Sequence, residues 1–265
     1  MYSFHIHSTF CDGKNTPEEI VLAALERGFS SIGFSGHGYT GFDVRYCMQD
    51  TAGYVSEIRR LKEKYKSKIQ VYLGIEEDMF AQADRSQFDY IIGSSHYFYK
   101  DNQYFPIDSD YGYFQQCLEL FQYDTEALAE NYFRAFCNYI STRKPDIIGH
   151  FDLITKFEEA HPSLFLQNPQ YNKIAEMYIK NAAENNCIFE INTGAMSRGL
   201  RTTPYPSENL LRVLKGMDVR IILSSDSHDV ETLDFGFDEA KRYLRDIGFC
   251  YAWALVDSEF KKYSL

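Results

Sequence analysis

The chain has 265 residues, 45% of them hydrophobic, with 21 Phe, 21 Tyr and a single Trp. That length fits one large α/β domain or two small ones, with apolar residues enough for a substantial core. A formal net charge of −11 excludes a nucleic-acid surface built from clustered Lys and Arg, although bound cations can still reverse the local field for a small phosphorylated substrate.

In chain order, residues 2–6 (YSFHI) form a first apolar run. Thr16-Pro17-Glu18-Glu19 then has capping-box form, Thr as N-cap and Pro at the first helical position, and Gly28 ends the helix it starts. Strands follow at 31–35 (SIGFS), 69–75 (IQVYLGI) and 89–95 (DYIIGSS), with a helix near 51–65 between the first two. The long Tyr-rich stretch 97–123 reads equally as a lid or as a surface loop. A helix near 124–141 leads to a strand at 146–150 (DIIGH), a helix near 170–185 and a strand at 187–192 (CIFEIN). Pro206 and Ser207 open another helix, 219–226 (VRIILSSD) is a strand, 236–247 a helix, and 251–256 (YAWALV) a candidate last strand.

Short apolar strands alternating with helices indicate a parallel sheet covered on both faces. Seven or eight such units, with no Gly-x-Gly-x-x-Gly after the first strand, favour a single distorted (β/α) barrel domain over 1–265 rather than an open dinucleotide fold. The cysteines (Cys11, Cys47, Cys117, Cys137, Cys187 and Cys250) include no Cys-x-x-Cys pair, so neither a zinc knuckle nor a disulfide framework is expected. No basic-then-apolar leader is present, and no apolar run reaches the roughly 18 residues of a membrane span. The expectation is a reduced, soluble, cytoplasmic protein, monomeric or homodimeric, with no membrane or nucleic-acid partner.

The polar residues at strand ends carry the functional signal. His5 and His7 end the first strand, His37 follows the second, Glu76 the third and His96 the fourth, while His150, then Asp226 and His228, close later ones. Parallel-barrel sites lie at strand C-termini, and six of the seven histidines fall there; only His161 does not. Imidazoles with a few carboxylates are the ligand set of zinc, iron(II) or manganese. With Asp12 included there are nine candidate ligands, too many for one tetrahedral ion. Three ions sharing a bridging carboxylate would use them, and Glu76 stands mid-order as the bridge, because a carboxylate has two oxygens to share.

The motifs HIHSTFCDG, FSGH, GIEED, IIGSSH, IIGHFDL, FEINTG and SSDSHD together resemble the polymerase-and-histidinol-phosphatase (PHP) family, most closely its histidinol-phosphate phosphatase branch. The resemblance runs from residue 2 to about 250 in the expected order. It implies a distorted (β/α)7 TIM-like barrel with a trinuclear centre of zinc, iron or manganese at the C-terminal strand ends. By that resemblance His5, His7, Glu76 and Asp226 hold one metal, Glu76, His96 and His150 a second, and Asp12, His37 and His228 a third. One departure is Gly36, which stands before His37 where the family commonly has Asp.

Such a centre implies hydrolysis of a phosphomonoester by in-line attack of a metal-bridging hydroxide, with Glu76 and Asp226 in the catalytic core, and the resemblance to the histidinol branch implies L-histidinol phosphate as the substrate. Phosphate also needs cationic donors: Arg198 after FEINTGAMS is the first choice, Lys156 the second and Arg201 the third. The amine of histidinol needs acidic or aromatic neighbours, for which Asp108, Asp110, Tyr111 and Tyr113 are the candidates. A PHP-type phosphoesterase acting on a sugar phosphate, nucleotide or phosphotyrosine peptide is the nearest alternative. An amidohydrolase-type metal hydrolase is a more distant one.

Overall fold

The computed structural model describes residues 1–162 and 164–265. The capping box forms as the sequence predicts. The Thr16 side chain accepts from the Glu19 amide, Glu19 Oε2 accepts from the Thr16 amide at 2.8 Å, and α1 (Pro17–Glu26) follows β1 (Tyr2–Ser3). Next come β2 (Ser31–Phe34), α2 (Thr51–Tyr65), β3 (Gln70–Asp78) and β4 (Tyr90–Ser94). The Tyr-rich stretch is not an irregular loop: it forms a hairpin, β5 (Tyr97–Lys100) and β6 (Gln103–Pro106), and a helix, α3 (Tyr111–Leu120). The chain continues through α4 (Thr125–Arg143), β7 (Ile147–Ile148), α5 (Pro169–Ala183), β8 (Ile188–Asn192) and the short α6 (Gly194–Ser197). It ends with α7 (Glu208–Gly216), β9 (Ile221–Ser224), α8 (Phe237–Ile247), β10 (Tyr251–Val256) and β11 (Glu259–Ser264).

Seven strands form one parallel sheet in the order β1-β2-β3-β4-β7-β8-β9. Its two edges meet. Ile6 and Ser227 make a parallel bridge, the His7 amide donates to Ser227 O at 2.8 Å, and the Ser3 and Ser225 hydroxyls lie 3.1 Å apart. The result is a nearly closed, distorted (β/α)7 barrel. Between sheet and helices lies an outer core in which Ile32, Leu73 and Phe189 pack with Ile58, Phe133 and Leu211. Among the described residues no helix is long and apolar enough to cross a membrane.

Inside the barrel the lower layers are apolar. Phe4, Tyr72, Tyr90, Ile147, Ile188 and Ile222 form a separate buried cluster. The Tyr90 ring crosses this interior and its hydroxyl donates to Phe4 O at 2.6 Å, with Phe34 O at 3.1 Å. A Cβ at Gly33 or Gly74 would overlap that ring, so these two glycines make the crossing possible.

YAWALV is not a barrel strand. β10 pairs only with β11, antiparallel, and sends Ala254 and Leu255 into the interior cluster. The turn between them has Asp257 at φ 52° and Ser258 at φ 62°, the two successive left-handed residues of a type I′ hairpin. No Asn-Gly or Asp-Gly announces that turn in the sequence. Ser31 Oγ donates to Leu255 O at 2.9 Å and Gln70 Nε2 to Asp257 Oδ1 at 2.9 Å, so the hairpin plugs the N-terminal end of the barrel. The opposite end stays open.

Candidate metal centre

The open end is polar because strand parity makes it so. Along β3 the residues Tyr72, Gly74, Glu76 and Asp78 share one face, changing from an apolar ring at the plug to carboxylates at the mouth. His5 and His7 are held between β2 and β9: the Ile6 amide donates to Ser35 Oγ at 3.1 Å, and the Ser35 amide to Ile6 O at 2.9 Å. His37 bridges to Glu76 across the β2–β3 edge. Asp226 sits just past β9 at φ 48°, a backbone state rare for a residue with a side chain and common at functional turns.

All nine predicted residues converge there. Glu76 Oε2 lies 3.2 Å from His5 Nε2, 3.5 Å from His7 Nε2 and 2.9 Å from His37 Nδ1. Its other oxygen, Oε1, lies 3.3 Å from His96 Nε2 and 3.1 Å from His150 Nε2. Asp226 Oδ1 faces His5 Nε2 at 3.6 Å and His7 Nε2 at 3.2 Å. Asp12 Oδ2 faces His37 Nε2 at 3.7 Å and His228 Nε2 at 3.3 Å. His7 and His228 stack with ring centroids 4.0 Å apart.

This donor set fits divalent ions. Three groups of donor atoms lie within 4.8 Å of one another: His7, Asp12, His37 and His228; His5, His7 and Glu76; and His37, Glu76 and His96. Two ligands of one tetrahedral zinc, each about 2.0–2.1 Å from it, stand roughly 3.4 Å apart, as these pairs do. Among the described residues, His5 Nε2, His7 Nε2 and Glu76 Oε2 are buried and accept or donate no hydrogen bond. Orphaned polar atoms so deep are costly, and a cation between them removes the cost.

Electrostatics keep the carboxylates ionised and His7 neutral, ready to meet a cation. Burial pushes the Glu76 and Asp226 carboxyls up, yet His5 and the other imidazoles, with Arg198 beside Asp226, hold both well below the ordinary carboxylate range. Burial, reinforced by His228 and His37, takes His7 down to about 3, so its ring is neutral at physiological pH. Burial also opposes charge on His5 and His96, but nearby carboxylates, Glu190 for His5 and Glu76 for both, raise them well above the usual imidazole value.

Above the cluster opens a cleft of about 490 Å³. Arg198 and Lys156 both line it, as the sequence predicts for phosphate donors. Arg198 Nη2 lies 3.2 Å from Asp226 Oδ2, and a Cβ on Gly194 would stand 2.7 Å from that oxygen and 2.9 Å from Nη2, so the pairing depends on glycine there. Arg201 is elsewhere. It is buried against the Tyr205 ring, with Nη1 donating to Thr155 Oγ1 at 2.6 Å. Tyr113 is also outside the cleft, in an adjoining groove where its hydroxyl accepts from Arg45 Nη1 at 3.4 Å. Asp110 caps α3 and Tyr111 stacks on His161, whereas Asp108 lines the cleft.

Residues 3–194 of this chain match the model of the PHP domain. The chain belongs to the PHP domain family. A probable histidinol-phosphatase of Schizosaccharomyces pombe is 28% identical to this PHP chain over 93% of it and 86% of the relative. The histidinol-phosphatase of Bacillus subtilis is 24% identical, over 88% of this chain and 96% of its own. The crystal structure of histidinol phosphate phosphatase from Lactococcus lactis, complexed with zinc, L-histidinol and phosphate, superposes with a TM-score of 0.73 at 20% identity, covering 98% of each chain. That likeness establishes the TIM-like fold.

Sequence reading missed the carboxylates behind the PHP histidines. Glu190, fully buried, accepts from His5 Nδ1 at 2.6 Å and, through Oε2, from the His150 amide at 2.9 Å. Asp78 stands 3.4 Å from His96 Nδ1. Both occur in quoted motifs, and strand parity places Glu190 on the inward face with Ile188 and Asn192, a signal that was available. In the space beside Gly36, where a Cβ would stand 3.0 Å from it, Cys11 Sγ lies 3.6 Å from His7 Nδ1. By fixing the His5 tautomer, Glu190 sets which nitrogen faces the centre. Glu190→Gln is therefore expected to weaken metal retention about 10- to 100-fold, measured by competition with a chromogenic chelator; unchanged retention would remove Glu190 from this role.

Proposed function

We propose that this chain is a metal-dependent phosphomonoesterase that converts L-histidinol phosphate to L-histidinol and phosphate. The observation that carries the reading is the placement of Glu76: each of its oxygens faces a different group of imidazole nitrogens, directly beneath a cleft that also presents Arg198 and Lys156. The substrate is supported by the relatives named histidinol-phosphatase and by the Lactococcus lactis enzyme seen with L-histidinol and phosphate. We also read residues 1–265 as one domain, since the C-terminal hairpin plugs the barrel that the N-terminal strands begin.

Three divalent ions, zinc, iron or manganese, suit the donors. His5, His7, Glu76 and Asp226 would hold one, Glu76, His96 and His150 a second, and Asp12, His37 and His228 a third. When bound, such ions neutralise phosphate oxygens, lower the pKa of coordinated water and stabilise the leaving alkoxide.

The chain's own groups do the rest. Arg198 offers a planar guanidinium that grips two phosphate oxygens, and Asp226 aims it through the 3.2 Å contact. Lys156, which follows β7 as Arg198 follows β8, adds a point charge in the same cleft, where its ammonium is anchored on the Asp108 carbonyl. His5, His7 and Glu76, each 1% exposed or less, form a floor closed to bulk water, which strengthens every charge interaction above it. The test is steady-state hydrolysis of L-histidinol phosphate beside sugar phosphates, nucleotides and phosphotyrosine peptides. L-Histidinol phosphate should have the highest kcat/KM; a thousandfold preference for another ester would overturn the substrate and leave the chemistry standing.

A further inference from the structure

Apart from the groups offered to metals, the cleft presents two carboxylates, Asp43 and Asp108. Asp43 is saturated. Its Oδ1 accepts from Arg45 Nε at 2.9 Å and from the Arg45 amide at 3.2 Å, and its Oδ2 accepts from Arg45 Nη2 at 2.6 Å and Tyr97 OH at 2.9 Å. Asp108 is different. Among the described residues its carboxylate accepts no hydrogen bond and has one ion-pair partner, with Oδ2 3.6 Å from Lys156 Nζ. Its position is fixed by backbone, because the neighbouring Ile107 is fully buried and its amide donates to His96 O at 2.9 Å. An unfilled anion is thus pinned between the Lys156 side of the cleft and the mouth of the histidine cluster.

The chemistry of the substrate selects a partner for it. In L-histidinol phosphate the protonated amine sits on the carbon next to the ester carbon, so the ammonium group must lie close to the bound phosphate. A carboxylate adjoining the lysine that binds phosphate is where such an ammonium falls. Tyr46 and Tyr97 line the same cleft, with ring centroids 6.1 Å apart, and offer aromatic surface for the imidazole. We propose that Asp108 receives the substrate's ammonium group and sets the preference for amino-alcohol phosphates over phosphomonoesters that lack the amine. This rests on the phosphatase reading above.

The test compares L-histidinol phosphate with its desamino analogue, 3-(imidazol-4-yl)propyl phosphate, on metal-loaded enzyme. A charge-assisted contact of this kind corresponds to roughly 10- to 100-fold in affinity. Asp108→Asn should lose about that factor in kcat/KM for L-histidinol phosphate, through KM, while the desamino analogue is hydrolysed as well as before or better. The anchor of Lys156 on the backbone carbonyl of residue 108 survives the substitution. Affinity for the product L-histidinol, measured by titration calorimetry, should fall by the same factor, and Asp108→Glu should restore part of it. Equal losses on both substrates, or none on either, would overturn the role of Asp108. A wild-type enzyme inactive on L-histidinol phosphate but active on other esters would instead sink the substrate assignment on which it rests.

Discussion

Glu76→Ala is expected to lower kcat/KM by about 10⁴-fold, roughly 5.5 kcal/mol of transition-state stabilisation, while the protein stays folded. The size follows from what the side chain touches. It is 1% exposed, its two oxygens lie 2.9–3.5 Å from nitrogens of His5, His7, His37, His96 and His150, and among the described residues no other carboxylate reaches both groups. Without it the imidazoles of His5, His37 and His96 lose the anion that helps keep their pKa values above the ordinary one, and they face one another across an unfilled space. Elemental analysis should therefore show at least one ion fewer per chain, alongside an unchanged far-ultraviolet circular dichroism spectrum. Retained turnover with full metal content would remove Glu76 from the centre.

Removing the metals from the unmodified protein should abolish turnover and lower the thermal midpoint together. A ligand bound only by the folded state contributes RT ln(1 + [L]/Kd), about 4 kcal/mol at a thousandfold excess over Kd. For this chain the stripped state also leaves His5 Nε2, His7 Nε2 and Glu76 Oε2 buried without hydrogen bonds. Dialysis against a chelator, followed by scanning calorimetry and assay, should show both losses, and adding back zinc, manganese or iron(II) should reverse both. Elemental analysis of the loaded protein should find about three ions. Activity that survives complete stripping would refute the metal-dependent reading.

Much of this site was legible because six of the seven histidines lie at or just beyond the C-terminal end of an apolar run. Period-two alternation then orients the side chain, so strand ends translate into a ring of ligands. The capping box at Thr16–Glu19 and α2, which spans residues 51–65 as expected, were legible from purely local signals. What escaped reading depends on contacts and turn conformations that no local pattern announces. Asp108 and Asp110 look alike in sequence, yet one lines the cleft and the other caps α3, because the Ile107 amide is tied to His96 O at the base of the β5–β6 hairpin. Arg201, three residues from Arg198, turns away because Thr155 and the Tyr205 ring hold it. YAWALV has the composition of a barrel strand, and only the left-handed turn at Asp257 and Ser258 sends it back antiparallel.

The seam that closes the barrel has a consequence for how the protein is made. β1 is bridged to the chain at Ser227, more than two hundred residues later, and the interior is capped by a hairpin that reaches Ser264. A nascent chain leaving the ribosome holds His5, His7 and Glu76 long before it holds Asp226 or the hairpin. Each intermediate length therefore carries an unpaired sheet edge and an uncovered apolar interior, the features that invite misassociation during synthesis. Closure waits for β9 and the hairpin, and so does the meeting of the candidate ligands: Asp226 and His228 are made more than two hundred residues after His5.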